Sequence, residues 1–253
     1  QAARRLDRSR RPPYFPPSFP LSAVVAPQST AAAPTAPASP PTQPHKKGAL
    51  EARSTQEPQS LEEVDLSSFG RVVVFDLETQ RSATDVGGWQ NAHLMRVAVG
   101  VVYDSQDGRF HTYHEAAVDD LVAHLHRADV VCGFNIISFD YKVLSAYARH
   151  PLDSLPTCDL LAEIKKKLDL RIGLGNLAAH TLGKPKSADG LKSLEWFAQG
   201  RLDLVDRYCR DDVEITRDLL RFGLANGYLV GHRKGCGLVR LPVELSLSHR
   251  SEG

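Results

Sequence analysis

Nowhere do the 253 residues run apolar for the roughly 20 positions a membrane-crossing helix needs. No membrane partner is therefore expected. Cysteine is scarce and scattered: Cys132, Cys158, Cys209 and Cys236 include no C-x-x-C pair. That spacing argues against a zinc knuckle and for reduced thiols in a cytoplasmic protein rather than disulfides. No G-x-x-x-x-G-K-[ST] loop is present, and neither a helicase nor a polymerase is expected. The chain starts on Gln and shows no charged-then-apolar secretory signature, the pattern expected of a processed product or of part of a longer protein.

What is present is the composition of a globular protein, 42% hydrophobic and 24% charged. Its net charge of +1 hides an asymmetry. Residues 1–60 carry eight basic and three acidic side chains, a balance of +5, which leaves −4 for the remainder. A mildly acidic folded part does not capture polyanions by charge alone. Gln1 to about Glu62 consists largely of Pro, Ala, Ser, Thr and Gln. It offers too little bulk to offset the entropy of ordering, so a solvated tail is expected, with a protein as its possible partner.

The stretch that organises the rest is R-V-V-V-F-D-L-E-T, Arg71 to Thr79. Its run of β-branched and aromatic residues predicts a buried strand over Arg71–Asp76. Asp76 and Glu78 stand two residues apart and so point to one side of an extended chain. Two neighbouring carboxylates at the rim of an apolar sheet repel unless a cation compensates them, and a hard divalent ion with oxygen ligands fits best. On its own such a pair is also an ordinary strand end.

A polar loop follows, Gln80 to Asn91, with Trp89 and His93 near its end; a packed Trp and a surface His are expected. Leu94–Tyr103 and Arg109–His114 read as a hairpin across the D-S-Q-D-G turn. Val118–His126 has helical spacing and Asp129–Gly133 returns to strand. In G-F-N-I-I-S-F-D, Gly133 to Asp140, Ser138 is the expected N-cap, placing Asp140 in the first helical turn. Pro156–Asp159 reads as a short strand and Leu160–Leu168 as a helix. Leu174–Lys192 reads as a short helix and a Gly-Pro-Lys loop bearing Lys184, Lys186 and Lys192. Leu202–Leu224 is a long helix whose buried stripe carries Leu204, Tyr208, Ile215, Leu219 and Phe222. Asp211 and Asp212 both flank that stripe, and periodicity does not choose between them. Gly231 onward reads as a small terminal hairpin. Three antiparallel strands, a crossover helix and a further strand define a mixed sheet with packed helices.

Taken together, V-F-D-L-E-T, G-F-N-x-x-x-F-D and Y-C-x-x-D-V-x-x-T resemble, in order, the three exonuclease motifs of the DEDD superfamily. The resemblance is strongest to the YprB-type predicted exonuclease domains and covers about Arg71 to Tyr228. It implies an α/β ribonuclease H-like fold, a mixed five- to six-stranded sheet flanked by helices, over residues 63–230, between the tail (1–62) and a C-terminal hairpin or tail (231–253). It further implies a 3′-5′ exonuclease using two divalent cations, Mg²⁺ or Mn²⁺, on the 3′ end of single-stranded DNA or RNA. By the same resemblance Asp76, Glu78, Asp140 and Asp212 are the metal ligands. Tyr208 completes the catalytic set, because Arg207 occupies the position where the competing subclass carries histidine. Asn135, Lys184 and Lys186 are the candidate nucleic-acid contacts. The rival expectation is a ribonuclease H-like binding module with weak or no turnover.

Overall fold

The structure is a computed structural model that describes residues 64–168, 170–184 and 190–247; the expected tail and Lys186 lie outside them. β1 (Val72–Thr79), β2 (Val97–Asp104), β3 (Arg109–His114), β4 (Val130–Gly133) and β5 (Thr157–Asp159) form one sheet in the order β3-β2-β1-β4-β5. The first three strands are antiparallel, while β4 and β5 run parallel to β1. Helices α1 (Val118–His126), α2 (Asp140–Leu144), α3 (Leu160–Leu168), α4 (Leu174–Thr181), α5 (Gly190–Ala198) and α6 (Leu202–Asn226) accompany it. β6 (Tyr228–Arg233) and β7 (Gly237–Pro242) pair as a separate hairpin. This is the mixed α/β sheet expected of the ribonuclease H-like class.

The period-two geometry of β1 divides the core. Val72 and Val74 pack with Val205, Cys209, Val213 and Leu220 of α6. Val73, Phe75 and Leu77 pack on the other face, with Leu121 and Leu125 of α1 and Val143 and Leu144 of α2. Because side chains alternate along a strand, Asp76 and Glu78 continue the α6 face. β1 runs to Thr79, so both acids lie within the strand rather than beyond its end, with a register irregularity after Glu78.

Several boundaries differ from the expected ones. The α2 N-cap is Phe139, without a side-chain cap, and not Ser138; the Asn135 carbonyl accepts the Phe139 N–H at 3.1 Å instead. Trp89 is 68% exposed rather than packed, at the head of a 3-10 turn over Trp89–Leu94. α5 starts within the stretch read as loop, which ends at Lys192, and continues through residues to which the sequence reading gives no element.

Candidate active site

Three carboxylates converge where β1 faces the N-terminal half of α6. One oxygen from each of Asp76, Glu78 and Asp212 lies within 4.8 Å of the others. Asp76 and Glu78 are half-buried and Asp212 is buried. Asp212, not Asp211, is thus the acid that α6 turns inward. One helical turn earlier Tyr208 is also buried, as i and i+4 side chains share a face. Its hydroxyl lies in the field of the site's carboxylates, and its pKa is raised by burial first, then by the charges of Asp212, Glu78 and Asp76. The phenol therefore stays protonated and able to donate. The Cys209 thiol, likewise pushed up by burial, donates to the Asp76 carbonyl at 3.4 Å and lies 3.7 Å from its carboxylate.

Asp140 stands beside this trio but outside it. Beyond the end of β4, the Leu77 N–H, between the two β1 acids, donates to Asp140 Oδ1 at 3.2 Å. Burial, together with the nearby Asp159 charge, pushes the Asp140 pKa up to about 7.

The loop leading to Asp140 is held by a residue that the sequence reading passed over. Buried Asp159, at the end of β5, accepts the N–H groups of Asn135 (2.8 Å), Ile137 (3.1 Å), Leu161 (3.0 Å) and Ala162 (3.2 Å). It thus caps α3 and fixes the turn in which Asn135 adopts a left-handed φ of 67°, a conformation asparagine tolerates. Gly133 is required where this turn leaves β4, since a Cβ there would stand 2.9 Å from the Phe75 carbonyl and would collide with Ile136.

A second unforeseen residue is Ser193 on α5. It is 1% exposed, and its Oγ donates to Glu78 Oε2. Trp196 of the same helix lies edge-on to the Tyr208 ring, centroids 6.1 Å apart. α5 therefore contacts the site from both β1, at Glu78, and α6, at Tyr208. On the rim, exposed Trp89 meets the ring of Phe139, next to Asp140, at 5.6 Å.

The basic candidates divide differently. Lys184 is tied to Asp218 of α6 at 2.8 Å, with Glu214 at 3.9 Å, and exposed Lys192 pairs with Glu195 at 2.7 Å.

The oxygen-only donor set and a buried acid that resists ionising fit hard divalent cations at Asp76, Glu78 and Asp212 with Asp140 alongside. A second acidic group, Asp104, Asp107 and His111, lies at the β2–β3 turn. There Asp104 is already neutralised by Arg71 at 2.7 Å and bonded to His124 at 2.9 Å, which makes it a structural knot.

Fold and site together define a ribonuclease H-like α/β protein. Residues 73–222 match the family model of the RNase_H superfamily, and the chain belongs to that superfamily. Comparison with curated proteins finds no match. Among solved structures, the chain is similar to the family B DNA polymerase from the hyperthermophilic archaeon Pyrobaculum calidifontis, with 20% identity and a TM-score of 0.48 over 61% of this chain and 24% of that one. It is also similar to the zinc-bound E. coli ExoI–ssDNA complex, with 14% identity and a TM-score of 0.35 over 62% of this chain and 41% of that one. The chain thus spans about a quarter of the first and about two fifths of the second. Among the described residues no helix is long and apolar enough to cross a membrane.

Proposed function

We propose that the protein is a metal-dependent 3′-5′ exonuclease that hydrolyses phosphodiester bonds at the 3′ end of single-stranded DNA or RNA. The observation that carries this reading is the meeting of Asp76, Glu78 and Asp212 within 4.8 Å, with the buried hydroxyl of Tyr208, kept protonated by burial and by their charges, beside them. Asp76, Glu78, Asp140 and Asp212 would hold two divalent ions, Mg²⁺ or Mn²⁺, which when bound supply the charge that stabilises an attacking hydroxide and a departing 3′ oxygen.

The chain's own groups set the geometry around that charge. Tyr208 donates from its buried hydroxyl toward the attacking water or a phosphate oxygen. Ser193 fixes the rotamer of Glu78, and Asp159 fixes the turn carrying Asn135, a residue suited to positioning the terminal nucleotide. Trp89 and Phe139 present aromatic surface beside Asp140, where an unpaired base can stack at a gain of about 1–3 kcal/mol.

The test is degradation of 5′-labelled single-stranded DNA and RNA with Mg²⁺ or Mn²⁺. Stepwise shortening is expected, abolished by Asp76→Ala and stalled by a blocked 3′ end. Cleavage that ignores the block would indicate an endonuclease, and an inert wild-type protein would favour a binding module.

A further inference from the structure

An acidic site must bring in a polyanion against its own field. Residues 64–159 and 185–227, which contain every carboxylate of the site, carry a balance of −7. Residues 160–184 and 228–247, the α3–α4 segment and the β6–β7 hairpin, carry Lys165, Lys166, Lys167, Arg171, Lys184, Arg233, Lys234 and Arg240 against Glu163, Asp169 and Glu244, a balance of +5. The folded part is therefore strongly polar in charge although nearly neutral in sum.

These two segments, far apart in sequence, are built into one unit. Thr181 Oγ1 donates to the Val230 carbonyl (2.8 Å) and accepts the Val230 N–H (2.9 Å). Asn176 bonds both backbone groups of His232, at 2.9 and 2.8 Å. α4 side chains thus occupy the free edge of β6, which pins the hairpin and removes it as a pairing edge. Lys167 of α3 is bonded to Glu244 just past β7. Lys166, Arg171, His232, Arg233, Lys234 and Arg240 are exposed. Lys residues at the end of α3 suit the helix dipole, but that does not account for the cations of the hairpin turn.

The unit is also joined to the site. Lys184, at the end of α4, is bonded to Asp218, six residues beyond Asp212 and so about 9 Å along the α6 axis. The Lys184–Asp218 pair thus fixes the near end of this unit to the helix that also carries Asp212.

We propose that the α3–α4–β6–β7 unit is the electrostatic landing surface for the nucleic-acid strand, binding backbone phosphates upstream of the 3′ terminus. The proposal rests on the nucleic-acid reading of the acidic site and assigns to that site the source of its affinity. Long strands gain from this surface, whereas a dinucleotide, too short to reach it, does not.

The experiment measures anisotropy of a labelled single-stranded 20-mer in EDTA across 50–300 mM salt, where binding is read without turnover. Replacing Lys166, Arg233, Lys234 and Arg240 together by Ala should weaken binding at least ~10-fold. It should also flatten the slope of log K against log salt by about 3, at about 0.7 per lost phosphate contact. Circular dichroism would check that the fold is retained. A control removing four positive charges elsewhere (Arg81, Arg109, Arg127 and Arg149) should leave the slope nearly unchanged. In Mg²⁺ the basic-surface variant should raise KM for the 20-mer and leave turnover of a dinucleotide as in wild type. An unaltered slope, or an equal fall in the control, overturns the proposal. Binding that maps to this surface in a protein that never cleaves would sink the exonuclease reading and leave the landing surface standing.

Discussion

Asp140→Asn separates the cost of the site from its use. In the fold the Asp140 pKa stands at about 7, against an ordinary 3.8, a rise of about 3 units. At about 1.4 kcal/mol per unit this is ~4 kcal/mol of penalty once the group is forced to ionise. Because the folded value lies above the unfolded one, the native state holds the extra proton between pH 4 and 7. Stability of the metal-free protein should therefore fall as pH rises through that window and level off above it. Asparagine has no charge to bury and keeps an oxygen to accept the Leu77 N–H, so the variant escapes the fall. Urea denaturation in EDTA should find it about 2–4 kcal/mol more stable than wild type at pH 8 and no more stable at pH 4, while Mg²⁺-dependent cleavage is lost. Adding Mg²⁺ at pH 8 should recover stability in the wild type, since a cation favours the ionised carboxylate, and recover less in the variant. Parallel stability-against-pH curves for the two proteins would refute the argument that burial of this carboxyl sets the penalty.

Two further substitutions probe residues that act through others. Ser193→Ala removes the donor to Glu78; a bond to a charged acceptor of about 1.5–3 kcal/mol predicts ~10- to 100-fold lower kcat with little change in urea midpoint. Mn²⁺ affinity by calorimetry should weaken alongside, and unchanged metal binding would show that Ser193 does not position Glu78. Asp159→Ala strips the acceptor from four backbone N–H groups and should cost at least ~3 kcal/mol of stability by denaturation, with a loss below 1 kcal/mol counting against its role as the anchor of the turn before Asp140.

How much of this could be read in advance depended on whether burial and hydrophobicity agree. They agree in β1, where four apolar residues precede alternating acids, and in α1 and α3, whose ends fall where the spacing predicts. In α6 the apolar stripe located the helix but could not rank Asp211 against Asp212. That choice needed the motif register, because a buried acid imitates a core position without its hydrophobicity. In α5 the two signals separate altogether: Leu191 is 69% exposed while Ser193 is 1% exposed. A pattern search that looks for large apolar side chains places the wrong face inward, and beyond Lys192 the sequence reading assigns this helix no element. Trp89 is the same inversion on the surface, a large aromatic left 68% exposed beside the acids rather than packed beneath them. Asp159 failed for another reason. An Asp ahead of Leu160-Leu161 is an N-cap signal in its own right, but nothing local says that the same carboxylate also reaches back to Asn135 and Ile137. The misread positions thus concentrate around the acids, where side chains are placed for charge and hydrogen bonding instead of burial, and that is where local consistency is expected to yield to function.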